Sequence, residues 1–263
     1  MRALKPPINN YMQEKLSIAI VQSDLIWKDK VANLANLTKH IDSIQENTDI
    51  ILLPEMFTTA FCVDDPELAE GFDGQTLQWM QEMARAKDSA ICGSILFKEE
   101  HRYYNRLLFV EPSGTVHHYD KHHLFSLVGE QILLTKGKHK TLIEYKGWKI
   151  QPFICYDIRF PAWCQNDDNA DILIFVANWP QKRIHHWKLL LQARAAENQC
   201  YVAGVNRLGF DFHGNAHNGQ SAVIDFTGNV ICDAGDNAGT EIVRLSKEKL
   251  ETHRKRYPFW KDR

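Results

Sequence analysis

KLSIAIVQ at residues 15–22 is a short apolar run rich in strand formers, and the residues after it change period. In WKDKVANLANLTKHIDSIQ (27–45), Val31, Leu34, Leu37, Ile41 and Ile44 recur at helical spacing, so an amphipathic helix follows the strand. TDIILLP (48–54) then gives a second strand with too few polar alternations for a half-exposed sheet, which predicts cover on both its faces. The alternation continues. A helix over about 74–87 leads into SAICGSILF (89–97), and RYYNRLLFV (102–110) turns through EPSG into TVHHYD (115–120). TLIEY and WKIQPFIC flank Lys146-Gly147 as a hairpin, followed by the buried strand DILIFVAN (171–178), the helix HHWKLLLQARAAENQ (185–199) and the strand CYVAGVN (200–206). SAVIDFTGNVICDAG and TEIVRL read as a terminal meander. No Gly/Ser-rich or Pro-rich linker divides the chain, so residues 15–263 form one α/β domain whose sheets are covered by helices, preceded by a loose arm over 1–14.

A hydrophobic content of 44% and a charged content of 24% are those of an ordinary soluble globular protein. The formal charge of −2 supplies no basic face for phosphate backbones or anionic lipids, so nucleic acid is not an expected partner. No run is long enough to span a membrane, and MRALKPPINNYMQE (1–14) lacks the apolar centre of a secretory signal. Six cysteines (62, 92, 155, 164, 200 and 232) are scattered without a CxxC pair, which fits a reducing cytoplasm and gives no zinc or disulfide signature. The histidine pairs at 117–118, 122–123 and 185–186 put adjacent side chains in different directions, favouring structural or solvent-facing roles over metal binding. Neither a metal nor a cofactor is expected.

Three expected strands end in chemically useful residues. IILLPEMF (50–57) delivers Glu55, HHYDKHHLF (117–125) delivers Lys121, and PFICYDIRFP (152–161) delivers Cys155. Buried strands of an α/β protein bring whatever follows them to a shared edge, where ligands gather. A thiol, a carboxylate and an ammonium suffice for acyl transfer. The carboxylate takes the thiol proton if burial raises its proton affinity, and the cation, with the Tyr156 backbone N–H, stabilises the tetrahedral oxyanion. Any one of the three alone would equally be a cap, a solvated charge or a packing thiol.

At these residues the sequence resembles the nitrilase superfamily of carbon–nitrogen hydrolases, which use a Glu-Lys-Cys triad. LPEMF, YDKHHLF and CYDIRFP carry the resemblance in the family's order, with Lys121 66 residues after Glu55 and Cys155 34 after Lys121. Gly129-Glu130, ANWP (177–180), ARAAENQ (193–199) and YVAGVNR (201–207) extend it over nearly the whole chain from residue 15. The resemblance implies a four-layer α-β-β-α sandwich, a homodimer, and a second glutamate, Glu130, that positions substrate or lysine. Within the superfamily the sequence is most similar to the ω-amidases. That branch hydrolyses the terminal amide of 2-oxoglutaramate and 2-oxosuccinamate to the dicarboxylate and ammonia through a thioester. His122 departs from the Arg that many relatives carry after the lysine, and the N-terminal arm has no match.

Around this trio, Phe125 and Trp179 are expected to line a pocket for a small-molecule amide. Asp157 and Arg159 are expected to form an internal ion pair that shapes the turn after Cys155. Arg159 or Arg183 would bind a substrate carboxylate, while His186, Trp187, Arg194 and Glu197 belong to a structural helix. Two other readings remain: a carbon–nitrogen hydrolase for a nitrile, a carbamoylated amine or an aliphatic amide, and a non-catalytic dimeric binding protein on the same scaffold.

Overall fold

Along β1 (Lys15–Gln22) alternate side chains part into two different cores. Leu16, Ile18 and Ile20 enter one, Ala19 and Val21 the other, which is why the run shows no polar alternation. The computed structural model describes residues 13–262. After β1 come α1 (Lys30–Asp42), β2 (Ile50–Leu52), α2 (Gln75–Lys87), β3 (Ala90–Glu99), β4 (Arg102–Val110), β5 (Val116–Asp120) and the short α3 (Glu130–Leu133). The second half holds β6 (Ile143–Tyr145), β7 (Trp148–Ile154), β8 (Ile172–Ala177), α4 (Ile184–Asn198), β9 (Tyr201–Asn206), β10 (Leu208–Phe210), β11 (Ala216–Asn218), β12 (Ala222–Ile224), β13 (Val230–Asp233), β14 (Gly239–Ser246) and α5 (Lys247–Arg256).

Two six-stranded sheets result, in the orders β14-β1-β2-β3-β4-β5 and β13-β12-β9-β8-β7-β6. The centre of each is parallel, through β1, β2 and β3 in one and β7, β8 and β9 in the other. Leu34, Leu37 and Ile41 of α1 and Leu77, Met80 and Ala84 of α2 cover the outer face of the first sheet. Trp187, Leu191 and Ala195 of α4 pack with the second. Between the sheets, Phe109 meets Tyr145 at 5.4 Å and Tyr119 meets Phe153 at 5.9 Å, each edge to face. The layers therefore run helix, sheet, sheet, helix, and each fully buried Phe or Leu between them stabilises by roughly 1.5–3 kcal/mol. Gly204 lets α4 close on β9, since a Cβ there would lie 2.6 Å from Leu191 Cδ2.

The structure departs from the sequence reading in particular places. Asp29 caps α1 by accepting from Ala32 N–H at 3.0 Å, but Val31 in the first turn is 72% exposed, so the packed stripe begins one turn later than its periodicity predicts. The terminal meander is not one sheet. β12 and β13 form a hairpin in the second sheet, whereas β14 crosses to the first and pairs antiparallel with the whole of β1, from Lys15 opposite Ser246 to Gln22 opposite Gly239. This covers an edge that would otherwise expose eight residues of apolar strand. The β10–β11 ribbon and α5, capped by Ser246, carry no apolar periodicity strong enough to announce them. Of the arm expected over 1–14, residues 1–12 lie outside the described residues. Gln13 accepts from Trp148 Nε1 at 2.8 Å through its carbonyl, and the Glu14 carbonyl accepts from Lys247 N–H at 2.9 Å. Among the described residues no helix is long and apolar enough to cross a membrane.

Candidate active site

β2, β5 and β7 end near one another, and Glu55, Lys121 and Cys155 all line one cavity of about 410 Å3. Lys121 follows directly on β5; its backbone N–H donates to the Asn105 carbonyl at 3.0 Å and its carbonyl accepts from Gly137 N–H at 2.9 Å. Its Nζ donates to Glu55 Oε1 at 2.8 Å and to both carboxylate oxygens of Glu130 at 3.0 Å. All three side chains are buried. Cys155 follows β7 in a left-handed conformation, φ +42°, which is strained for a residue with a Cβ and throws the side chain off the strand. Its side chain lines the same cavity as Glu55 and Lys121, as does Tyr156, next in the turn.

The electrostatics follow from burial and proximity. Burial pushes the Cys155 thiol well above its ordinary pKa, Glu55 adds to that, and Lys121 partly opposes it, so the proton rests on sulfur. Burial disfavours the Lys121 ammonium, but Glu130, Glu55 and Cys155 outweigh it and hold its pKa above the usual lysine value. Burial also raises the Glu130 carboxyl, with Lys121 pulling it back and Glu55 reinforcing the rise. Glu130 is further held by Phe125 N–H, which donates to Oε2 at 2.6 Å.

Asn105, in the middle of β4, binds both carboxylates: its Nδ2 donates to Glu55 at 2.8 Å and to Glu130 at 3.3 Å, and its Oδ1 accepts from Ser94 Oγ at 2.8 Å. Sequence reasoning missed it. The signal was present, because an amide inside the apolar strand RYYNRLLFV must find partners. Glu55 Oε2 accepts from Asn178 N–H at 2.8 Å, and Asn178 Nδ2 donates to the Glu55 carbonyl, tying the ends of β2 and β8 together. Asn206 holds Trp179 at both backbone groups.

Phe125 and Trp179 line the cavity as expected, and so do Arg159 and Arg183. The Arg159 guanidinium lies 4.6 Å from the Trp179 ring, with His186 Nδ1 at 3.3 Å; that of Arg183 lies 5.5 Å from the Phe125 ring. Burial and the neighbouring charge of Arg183 both lower the Arg159 pKa. The expected Asp157–Arg159 ion pair is not formed. Residues two apart in a tight helical turn do not face each other. Asp157 turns inward to Tyr119, His123 and Ile154, and Arg159 turns to the cavity. Trp187 and Arg194 are buried in α4 as expected. Arg194 also props the turn after Cys155 by donating to the Ile158 carbonyl at 2.9 Å and pairs with Glu197 at 2.6 Å. Trp27, Phe61, Phe212 and His217 complete the walls; they come from loops and the β10–β11 ribbon, and no motif marked them.

A family model described as carbon–nitrogen hydrolase matches residues 17–255. The chain belongs to the carbon–nitrogen hydrolase family. This hydrolase is 40% identical over 248 residues to the omega-amidase YafV of Escherichia coli strain K12, a match covering 94% of this chain and 96% of that protein. It is 30% identical over 253 residues to the 2-oxoglutaramate amidase of Bacillus subtilis, covering 94% and 97%. Among solved structures it superposes on XC1258 of Xanthomonas campestris with a TM-score of 0.93 at 37% identity, covering 95% of this chain and 98% of that one. That structure is described as a CN-hydrolase superfamily protein with an arsenic adduct in its active site. The Saccharomyces cerevisiae protein Nit3, a member of branch 10 of the nitrilase superfamily, superposes with a TM-score of 0.86 at 25% identity. The carbon–nitrogen hydrolase described here is accordingly an enzyme of the nitrilase superfamily, a hydrolase that acts on C–N bonds, with the superfamily's four-layer sandwich.

Proposed function

We propose that this amidase hydrolyses the terminal amide of a small 2-oxo dicarboxylic acid monoamide, with 2-oxoglutaramate and 2-oxosuccinamate as the substrate class, and that Cys155 carries the acyl group as a thioester. The observation that carries the reading is the convergence of Glu55, Lys121 and Cys155 on one cavity that Arg159 and Arg183 also line. Among the described residues neither arginine forms an ion pair with a carboxylate; Arg159 meets His186 and the Trp179 ring and Arg183 the Phe125 ring, which suits both to an anionic substrate end. The names of the relatives from Escherichia coli and Bacillus subtilis point to the same substrate class.

In the first half-reaction the thiol proton passes to Glu55 while sulfur bonds to the amide carbon. The oxyanion is stabilised by Lys121 and the Tyr156 backbone N–H, helped by Glu130, which holds the lysine in place. Glu55 then gives its proton to the departing nitrogen as the C–N bond breaks, leaving a thioester and ammonia. Water, deprotonated by Glu55, attacks the thioester carbon; the acid leaves and the proton returns to sulfur. The free cysteines support a reducing cytoplasm as the working compartment, and the superfamily resemblance supports a homodimer. Ammonia release from a panel of 2-oxoglutaramate, 2-oxosuccinamate, a nitrile, a carbamoylated amine and an uncharged aliphatic amide tests the substrate reading. The two 2-oxo acid amides should lead in kcat/KM; preference for any of the others would overturn it.

A further inference from the structure

Asp157 lies two residues after Cys155, is fully buried, and accepts hydrogen bonds from three separate segments. Its Oδ1 accepts from the His123 backbone N–H at 2.8 Å and from His123 Nδ1 at 3.0 Å. Its Oδ2 accepts from Tyr119 Oη at 2.8 Å and from Ile154 N–H at 3.1 Å. Tyr119 is in β5 and His123 lies two residues after Lys121, so one carboxylate spans the strand that carries the lysine, the loop after it, and the entry to the strained turn that carries the thiol. Around it, Trp163 Nε1 donates to Tyr119 Oη at 2.9 Å, and the His123 ring stacks on Phe160 at 3.6 Å. A buried carboxylate with four donors is charge-compensated by hydrogen bonds and has little freedom to move.

We infer that Asp157 is a positioning residue: with His123 and Tyr119 it clasps the turn of Cys155 to the loop of Lys121 and so fixes the sulfur against Glu55 and the lysine. This rests on Cys155 as the nucleophile. Its left-handed φ is costly for a non-glycine residue and persists only if neighbours over-determine it; the Asp157 bond to Ile154 N–H acts one residue before it. The clasp takes no proton from substrate and touches none, so its loss should appear in kcat rather than in KM.

The test uses full-length Asp157→Asn, Tyr119→Phe, His123→Asn and His123→Leu proteins, each assayed well below its own melting temperature. Two readouts are taken: kcat and KM for 2-oxoglutaramate, and the rate of Cys155 alkylation by iodoacetamide followed by peptide mass spectrometry. Asp157→Asn should lower kcat by about tenfold to a hundredfold, the scale of a misplacement near 1 Å, with KM changed little and the alkylation rate falling in parallel. His123→Asn, which keeps a donor near the Nδ1 position, should retain more activity than His123→Leu. Adding His123→Leu to Asp157→Asn should cost little further, because the partner is already lost. A lowered melting temperature with normal kcat and normal alkylation in all four variants would overturn the clasp and leave Asp157 a purely structural residue. If Asp157→Asn does not fold, Tyr119→Phe and the two His123 variants decide on the same criteria. Wild-type protein inactive on 2-oxoglutaramate would sink the substrate reading instead, and the alkylation rates would still judge the clasp.

Discussion

At the scale of single residues, the site works by keeping two acids and one cation out of water around a thiol that holds its own proton. In the proposed mechanism Glu55 takes that proton, so Glu55→Gln should lower kcat by about 10²–10⁴-fold, the usual worth of a positioned acid–base group, while Lys121 keeps Glu130 as partner and the fold survives. Steady-state ammonia release together with circular dichroism checks both halves of that statement. His217, on the cavity wall, supplies a pH prediction. Burial, and after it the charge of Arg207, push its pKa down to about 4, below the ordinary 6.5 of an unfolded chain. Its contribution to stability is therefore complete above about pH 6.5 and is lost as pH falls through 4, amounting to roughly 3 kcal/mol. Urea unfolding between pH 7 and 4 should show that slope, and His217→Gln should flatten it. Glu55, Lys121 and Cys155 were legible because each closely follows a readable strand and sits in a quoted family motif. The partners of Asp157 and Arg159 were not, because their directions depend on how the turn after Cys155 winds.

At the scale of elements, the lysine loop depends on one close approach that a side chain would block. Gly137 passes beside the end of β5, where a Cβ would overlap the Asp120 carbonyl oxygen, while its N–H donates to the Lys121 carbonyl and its own carbonyl bonds His122 Nδ1 at 2.8 Å. Gly137→Ala must move backbone against backbone. It should cost on the order of 1–3 kcal/mol or more of stability and lower kcat with it, read by thermal melting and by activity on the folded fraction. Nothing in the local sequence announces this contact, since Gly137 lies in a loop and its neighbour is seventeen residues earlier. The strands around the site were legible for the opposite reason. β1, β2, β8 and β9 are buried on both faces and read as largely apolar runs. β14 is partly exposed, so its sequence marks it as a strand without saying which sheet receives it; the free edge of β1 decides that.

At the scale of the whole molecule, two sheets closing on a shared aromatic and aliphatic core bring together residues as far apart in sequence as Trp27 and His217, which is why no single segment of the chain describes the site. The repeated strand–helix pattern gave an α/β domain with helix-covered sheets, and the family resemblance gave the four-layer sandwich. The rim of the cavity, built from Trp27, Phe61 and Phe212, arises only when loops of both halves meet. Analytical ultracentrifugation should find a particle of twice the 30.4 kDa of one chain, as the superfamily resemblance implies, and a species at 30.4 kDa under micromolar conditions would argue against the dimer. In the proposed reaction the Cys155 sulfur is the atom that attacks. Ammonia release from 2-oxoglutaramate by Cys155→Ala, with its fold verified by circular dichroism, tests this most directly. The rate should fall to the uncatalysed background, and a folded variant that still turns over at a substantial fraction of the wild-type rate would contradict it.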